Sequence, residues 1–155
     1  MPARALWILL AAAMADGAGG SWPQWLGPTQ NGTAGETGVF GADVRLSKAW
    51  SRPLEMGNAG LAVAEGRVFT LFRDGADDYA IALRADTGAE AWRAKLDPGV
   101  ESPWLSGPPS TPAVHDGRVF TLSSACRLRA HEAATGRVQW EVDFKEKFGT
   151  QFRMG

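Results

Sequence analysis

Ala62-Val-Ala-Glu-Gly-Arg-Val-Phe-Thr-Leu71 and Ala113-Val-His-Asp-Gly-Arg-Val-Phe-Thr-Leu122 are one decapeptide written twice. Eight of the ten positions are identical, and a ninth exchanges Glu65 for Asp116. A match this dense within one chain marks an internal repeat. Glu65-Gly66 and Asp116-Gly117 are acidic-Gly pairs, which supply the positive φ of a tight hairpin. A short apolar strand ends before each turn, at Val63 and Val114. After each turn comes Arg-Val-Phe-Thr-Leu, rich in β-branched and aromatic residues.

A second match follows the first. Ala85-Asp86-Thr87-Gly88 with Trp92 corresponds to Ala133-Ala134-Thr135-Gly136 with Trp140. The offset drops from 51 to 48 residues between the two matches. The difference falls across Phe72–Tyr79 and Ser123–Arg127, where a hairpin tip absorbs it. A third strand is expected near Tyr79–Arg84 and near Arg127–His131, and a fourth carries Trp92 or Trp140. Four short antiparallel strands in about 45–50 residues make one propeller blade. The fold class is therefore all-β, with two blades over about 59–96 and 110–144, stacked face to face with Trp92 near their interface. Helical repeats are excluded because the 3.6-residue apolar spacing is missing.

Upstream, Leu46-Ser-Lys-Ala-Trp50 reads as a further Trp-bearing fourth strand, one that could close a ring and remove an exposed edge. The domain reading is a signal peptide over 1–15, an N-terminal extension with a Trp-rich segment over 16–58, and two blades with the start of a third over 59–155. Arg4 is the basic n-region, Ala5–Met14 is an apolar run of ten residues, and Ala13-Met14-Ala15 is a small-x-small cleavage pattern. Ten apolar residues are too few for a stable span. Export to the bacterial periplasm or beyond is expected, with no stable membrane span after the signal is removed. Closed propellers need about four to eight blades, so the chain reads as an N-terminal piece of a larger one, with Phe148–Gly155 approaching a third blade.

The 155 residues carry a formal charge of −1. That balance argues against a nucleic-acid partner, which favours a basic face. Cys126 is the sole cysteine, and His115 and His131 stand sixteen residues apart. Metal-ligand spacing and a haem attachment sequence are both missing. Asp74, Asp77 and Asp78 surround Gly75 and invite a calcium reading, yet the Asp-x-Asp-x-Asp-Gly order and the closing Glu are lacking. A solvated hairpin tip is the preferred account. Asn31-Gly32-Thr33 matches a glycosylation sequon and reads as a plain turn. Arg127 and Arg129 could activate the Cys126 thiol, but no His partner is evident and the thiol reads as inert. Trp22 and Trp25 are expected to plug one end of a propeller or pack on its rim.

The motif Ala-x-x-Ala-x-Thr-Gly-x-x-x-Trp, at residues 82–92 and 130–140, resembles the pyrroloquinoline quinone (PQQ)-like β-propeller repeat. The opening Trp22-Pro-Gln-Trp25-Leu-Gly-Pro28 resembles the start of many exported bacterial proteins of this kind. The resemblance covers residues 22–144. It implies that Trp92 and Trp140 are docking residues between blades, each packing near the Gly of a neighbouring unit. It also implies that Thr87-Gly88 and Thr135-Gly136 are turns. Where the family often has Asp, this chain has Arg84 and Glu132, so a hydrogen bond assigned to that Asp does not carry over.

Quinone enzymes of this fold hold their cofactor on the propeller axis, with a catalytic Asp, a calcium set and often adjacent cysteines. None of these is identifiable, so no catalytic, cofactor-binding or metal residue is assigned. PQQ remains possible only for a complete protein. The expected function is an exported non-catalytic scaffold or binding module, with protein partners held by propeller loops or faces, like the scaffold component of outer-membrane β-barrel assembly. The alternatives are the N-terminal part of a PQQ-dependent dehydrogenase and, more weakly, a sugar-binding propeller built from short chains.

Overall fold

The computed structural model describes residues 20–38, 41, 43–101, 103 and 106–149. Eight strands form two antiparallel sheets of four. The first contains β1 (Ala62–Ala64), β2 (Arg67–Asp74), β3 (Asp77–Arg84) and β4 (Glu90–Pro98). The second contains β5 (Ala113–His115), β6 (Arg118–Leu122), β7 (Arg127–Glu132) and β8 (Val138–Asp143). Each sheet runs in simple chain order, the meander of a propeller blade. Arg67–Leu71 and Arg118–Leu122 are strands, as their β-branched and aromatic content dictates.

The acidic-Gly hairpins form as expected. Glu65 and Gly66 have φ of 52° and 68°, and Asp116 and Gly117 have 47° and 67°. Two successive left-handed residues match the twist of the flanking strands. The length difference between the repeats lies in the next hairpin. There β2 and β3 run eight residues each around Gly75, whereas β6 has five residues and β7 six, joined by Ser123–Cys126.

Each sheet has two apolar faces, set by period-two alternation. Phe69, Ala82 and Trp92 are cross-strand neighbours on one face of the first sheet. With Leu71, Ala80 and Leu96 they pack on Val114, Val119 and Ala133 of the second sheet and its turn, forming the seam. The other face of the first sheet holds Val68, Phe72, Ile81 and Leu83, and Trp50 and Leu54 cover it.

The expected strand over Leu46–Trp50 is not formed: these residues lie in no strand. A Trp at the right spacing specifies a packing contact, but a strand also needs a ladder partner, and none reaches this segment among the described residues. Met56 makes only an isolated bridge to Arg73. The expected signal peptide lies outside the described residues. So does most of the approach to a third blade at Phe148–Gly155; Phe148 and Gly149 end a short helix α1 (Phe144–Phe148) capped by Asp143. Among the described residues no helix is long and apolar enough to cross a membrane.

Candidate functional site

The repeat motif builds a plug and a socket. Trp92 projects from β4, and its Nε1 donates to the Ala133 carbonyl at 2.9 Å. Its ring lies on Gly136, where an added Cβ would fall 2.6 Å from the indole. Gly136 has φ of 75°, and its N–H donates to the Glu132 carbonyl at 2.8 Å. Thr135 shapes the turn by donating its hydroxyl to the Glu132 carboxylate at 2.6 Å. Glu132, which replaces the family's Asp, therefore has its own hydrogen bond.

The first sheet carries the same socket. Gly88 has φ of 69° and donates to the Arg84 carbonyl at 2.9 Å. The exposed Thr87 hydroxyl lies 3.4 Å from the Ala89 N–H that it accepts. The plug here is Trp50. Its Nε1 donates to the Ala85 carbonyl at 2.9 Å, and a Cβ on Gly88 would fall 2.5 Å from its ring. Trp140 occupies the plug position of the second sheet but remains 42% exposed, with Phe120 beside it.

Two clusters of charge reinforce the seam, and motif reading did not reveal them. Asp97 of β4 is buried and accepts from Arg127 at 2.6 Å and from Arg129 at 2.7 and 3.1 Å, both on β7. Burial opposes the Asp97 charge. Hydrogen bonds from Arg129 and Ser123 and the nearby guanidinium charges outweigh it, holding the carboxyl below the usual range. Asp78 accepts from Arg73 at 2.8 Å and from Ser124 of the second sheet at 2.5 Å.

These contacts correct the reading of the acidic hairpin. Asp78 is fully buried rather than solvated. The neighbouring Asp74 pairs with Arg93 at 3.1 Å, and Asp77 with Lys95 at 2.7 Å. The three carboxylates thus meet three different cations: Asp74 and Asp77 are cross-strand partners on one face and reach Arg93 and Lys95, whereas Asp78, successive to Asp77, faces the other way and reaches Arg73. Among the described residues no three His, Cys, Asp or Glu side chains gather as metal ligands would.

His131 is also part of the seam. It is buried, its Nε2 lies 3.0 Å from the Thr121 hydroxyl, and its Nδ1 lies 3.1 Å from the Gly136 carbonyl. Its ring stacks on Trp92. Burial pushes its pKa below the ordinary value. His115 is exposed at the β5–β6 turn beside Asp116. Cys126 is half-buried with φ of 65°, at the end of the β6–β7 connection.

The Trp-rich segment crosses the short strands β1 and β5, which lie against each other. Trp22 and Val63 exchange N–H···O bonds of 2.7 and 2.8 Å, and Val114 donates to the Pro23 carbonyl at 2.7 Å. The segment thus clasps both blades at their converging edges. Trp25, 67% exposed, stands clear of it. The Asn31 carboxamide oxygen accepts from the Thr33 N–H at 2.9 Å, forming the expected turn.

These edges also test the fit to a quinone. PQQ is a polycarboxylate and requires cations or amide donors around it. The side chains of β1 and β5 are Ala62, Val63, Ala64, Ala113, Val114 and His115. Apart from the exposed His115 they have no donor, and the backbone N–H groups of Val63 and Val114 are already engaged. β1 and β5 by themselves offer such a group no further side-chain donor.

The family model described as outer membrane protein assembly factor BamB matches residues 42–151, more than two thirds of the chain. The chain belongs to the BamB family. Its two sheets are blades built from PQQ-like repeats. No curated protein matches it. Among solved structures, BamB from Moraxella catarrhalis is 19% identical, with 62% of this chain and 27% of that one covered at a TM-score of 0.48. A europium-containing methanol dehydrogenase is 24% identical, with 63% and 19% covered at 0.48. A quinohemoprotein alcohol dehydrogenase from Pseudomonas putida HK5 is 25% identical, with 58% and 13% covered at 0.43. The chain thus spans at most 27% of the length of these structures.

Proposed function

We propose that this member of the BamB family is an exported, non-catalytic scaffold or binding module whose propeller faces and loops hold protein partners in the periplasm or outside the cell. The family match over residues 42–151 carries this reading, since the family is described by an assembly role rather than by a reaction. The use made of the buried ionic groups supports it. Arg73, Asp78, Asp97 and Arg129 are each consumed in pairs that fasten strand to strand or blade to blade. A catalytic group has to face a substrate, and these four face each other.

Two measurements on the full chain test the proposal. Expressed with its leader in a bacterium, the chain should enter the periplasmic fraction and lose about fifteen residues, the length that the small-x-small pattern implies; mass spectrometry reads the new N-terminus. Crosslinking in those cells should join it to outer-membrane proteins under assembly. Robust dye-linked alcohol or sugar oxidation with added PQQ and calcium would overturn the non-catalytic reading. An intact Met1 on cytoplasmic protein would overturn export.

A further inference from the structure

Val63 and Val114 hold the same position in the two decapeptides. Each stands one residue before the pair that closes its hairpin, Ala64 with Arg67 and His115 with Arg118. Its N–H and C=O therefore point away from the neighbouring strand, toward the free edge. β1 and β5 lie against each other, so the sheets converge on these edges, the side on which a propeller has its central channel. Val63 donates to the Trp22 carbonyl at 2.8 Å, and Val114 donates to the Pro23 carbonyl at 2.7 Å. Consecutive carbonyls of one segment thus satisfy equivalent amides of successive blades. Pro23 has no N–H, so it accepts there without leaving a donor of its own unpaired.

The segment making these bonds is seated under strain. Leu26 and Gln30 are left-handed non-glycine residues, with φ of 63° and 56°, a conformation that crowds Cβ against the following carbonyl. Trp25 and Leu26 are both exposed. The segment meets β1 through an isolated bridge rather than a ladder. Trp22 anchors it, lying so close to Gly27 that an added Cβ would fall 2.7 Å from the ring. We propose that residues 22–32 are a displaceable strap over a peptide-binding edge. When the strap leaves, the Val63 and Val114 amides take the backbone of an extended segment of a protein partner, in the manner of strand addition. That the occupant is a protein rests on the scaffold reading above. The strap shows what the edge accepts: an aromatic residue followed by Pro, each offering its carbonyl. Strap and partner compete for the same two amides, so the seated strap weakens apparent binding in proportion to how rarely the edge is free.

Fluorescence anisotropy with a labelled synthetic peptide of residues 20–33 tests this on the full chain and its Trp22→Ala and Gly27→Ala variants, each of which loosens the strap. Both variants should bind the peptide at least tenfold more tightly than the parent chain. A peptide carrying Trp22→Ala and Pro23→Ala should bind at least tenfold more weakly than the unaltered one. Equal binding to parent and variants, or no binding to a variant that circular dichroism shows to be folded, would overturn the proposal. Hydrogen exchange on the unaltered chain needs no variant. The Val63 and Val114 amides should exchange together, at least tenfold faster than amides inside the β2–β3 ladder. Exchange at the rate of that ladder would mean that the strap does not leave. These readouts involve neither export nor PQQ, so their failure would leave the scaffold reading to its own tests.

Discussion

Trp92 lies flat on Gly136, so close that a single added methyl group would fall 2.6 Å from the indole. The contact joins residues from adjacent blades and fixes the distance between them. Gly136 is needed there twice over, for its left-handed φ of 75° and for the missing Cβ. Gly117 shares only the first requirement, since a Cβ added there meets open space. Gly117→Ala should therefore cost only the left-handed penalty, about 1–2 kcal/mol. Gly136→Ala should cost about 1–3 kcal/mol more through overpacking. Urea unfolding of the two variants measures the difference, and equal losses would mean that the indole gives way freely.

Trp92 and Trp140 occupy the same motif position but meet different surroundings. Trp92→Ala should cost about 3–5 kcal/mol, the range for emptying a buried aromatic site. Trp140→Ala removes a side chain that is 42% exposed and packs on Phe120, and should cost clearly less, under about 2 kcal/mol. Chemical denaturation of the two variants gives both values. Comparable losses would show that the Trp140 face is covered in solution.

Asp97 should dominate the ionic part of the seam. Asp97→Asn leaves Arg129 buried with a weaker acceptor and should cost about 3 kcal/mol or more, the range for breaking one side of a buried pair. Asp74→Asn, at an exposed pair with Arg93, should cost less than about 1 kcal/mol. Thermal melts of the two variants provide the comparison, and a mild Asp97→Asn would assign the seam's strength to Trp92 and its apolar neighbours.

These contrasts mark what the sequence makes legible. The hairpins at Glu65-Gly66 and Asp116-Gly117 are local, so two residues suffice to specify them, and their repetition reveals the blade. The sockets at Gly88 and Gly136 are legible for the same reason. The fates of Trp92 and Trp140 are not, because their motif is identical and only the neighbouring surface differs. Asp78 lies five residues from Arg73 but 46 from Ser124, and the second distance hides its burial. Leu46–Trp50 resembles a fourth strand through one Trp, yet a ladder requires a partner strand that no pattern within the segment encodes. His131 drew notice only as a missing metal ligand, and its role depends on Thr121, Trp92 and the Gly136 carbonyl converging from three places.

That convergence gives the seam a pH dependence. The native structure holds His131 with its pKa below the ordinary 6.5, because burial disfavours the imidazolium. The unfolded chain therefore binds the proton first as pH falls. Stability from the neutral ring is complete above about pH 6.5, the unfolded value. It declines as pH drops from there through the depressed folded value. Asp97 acts in the same direction at lower pH, since its folded pKa lies below the ordinary carboxylate value, so the two contributions separate if the scan stays above pH 5. His131→Leu, which installs the residue found at the equivalent Leu83, removes the titration and leaves the Thr121 hydroxyl without its ring partner. The variant should lose about 1–3 kcal/mol at pH 8 through that unsatisfied hydroxyl, while its melting temperature should stay flatter than that of the parent between pH 7 and 5. A parallel decline in both proteins over that interval would remove His131 as the source and point to another group whose folded pKa lies below its unfolded value.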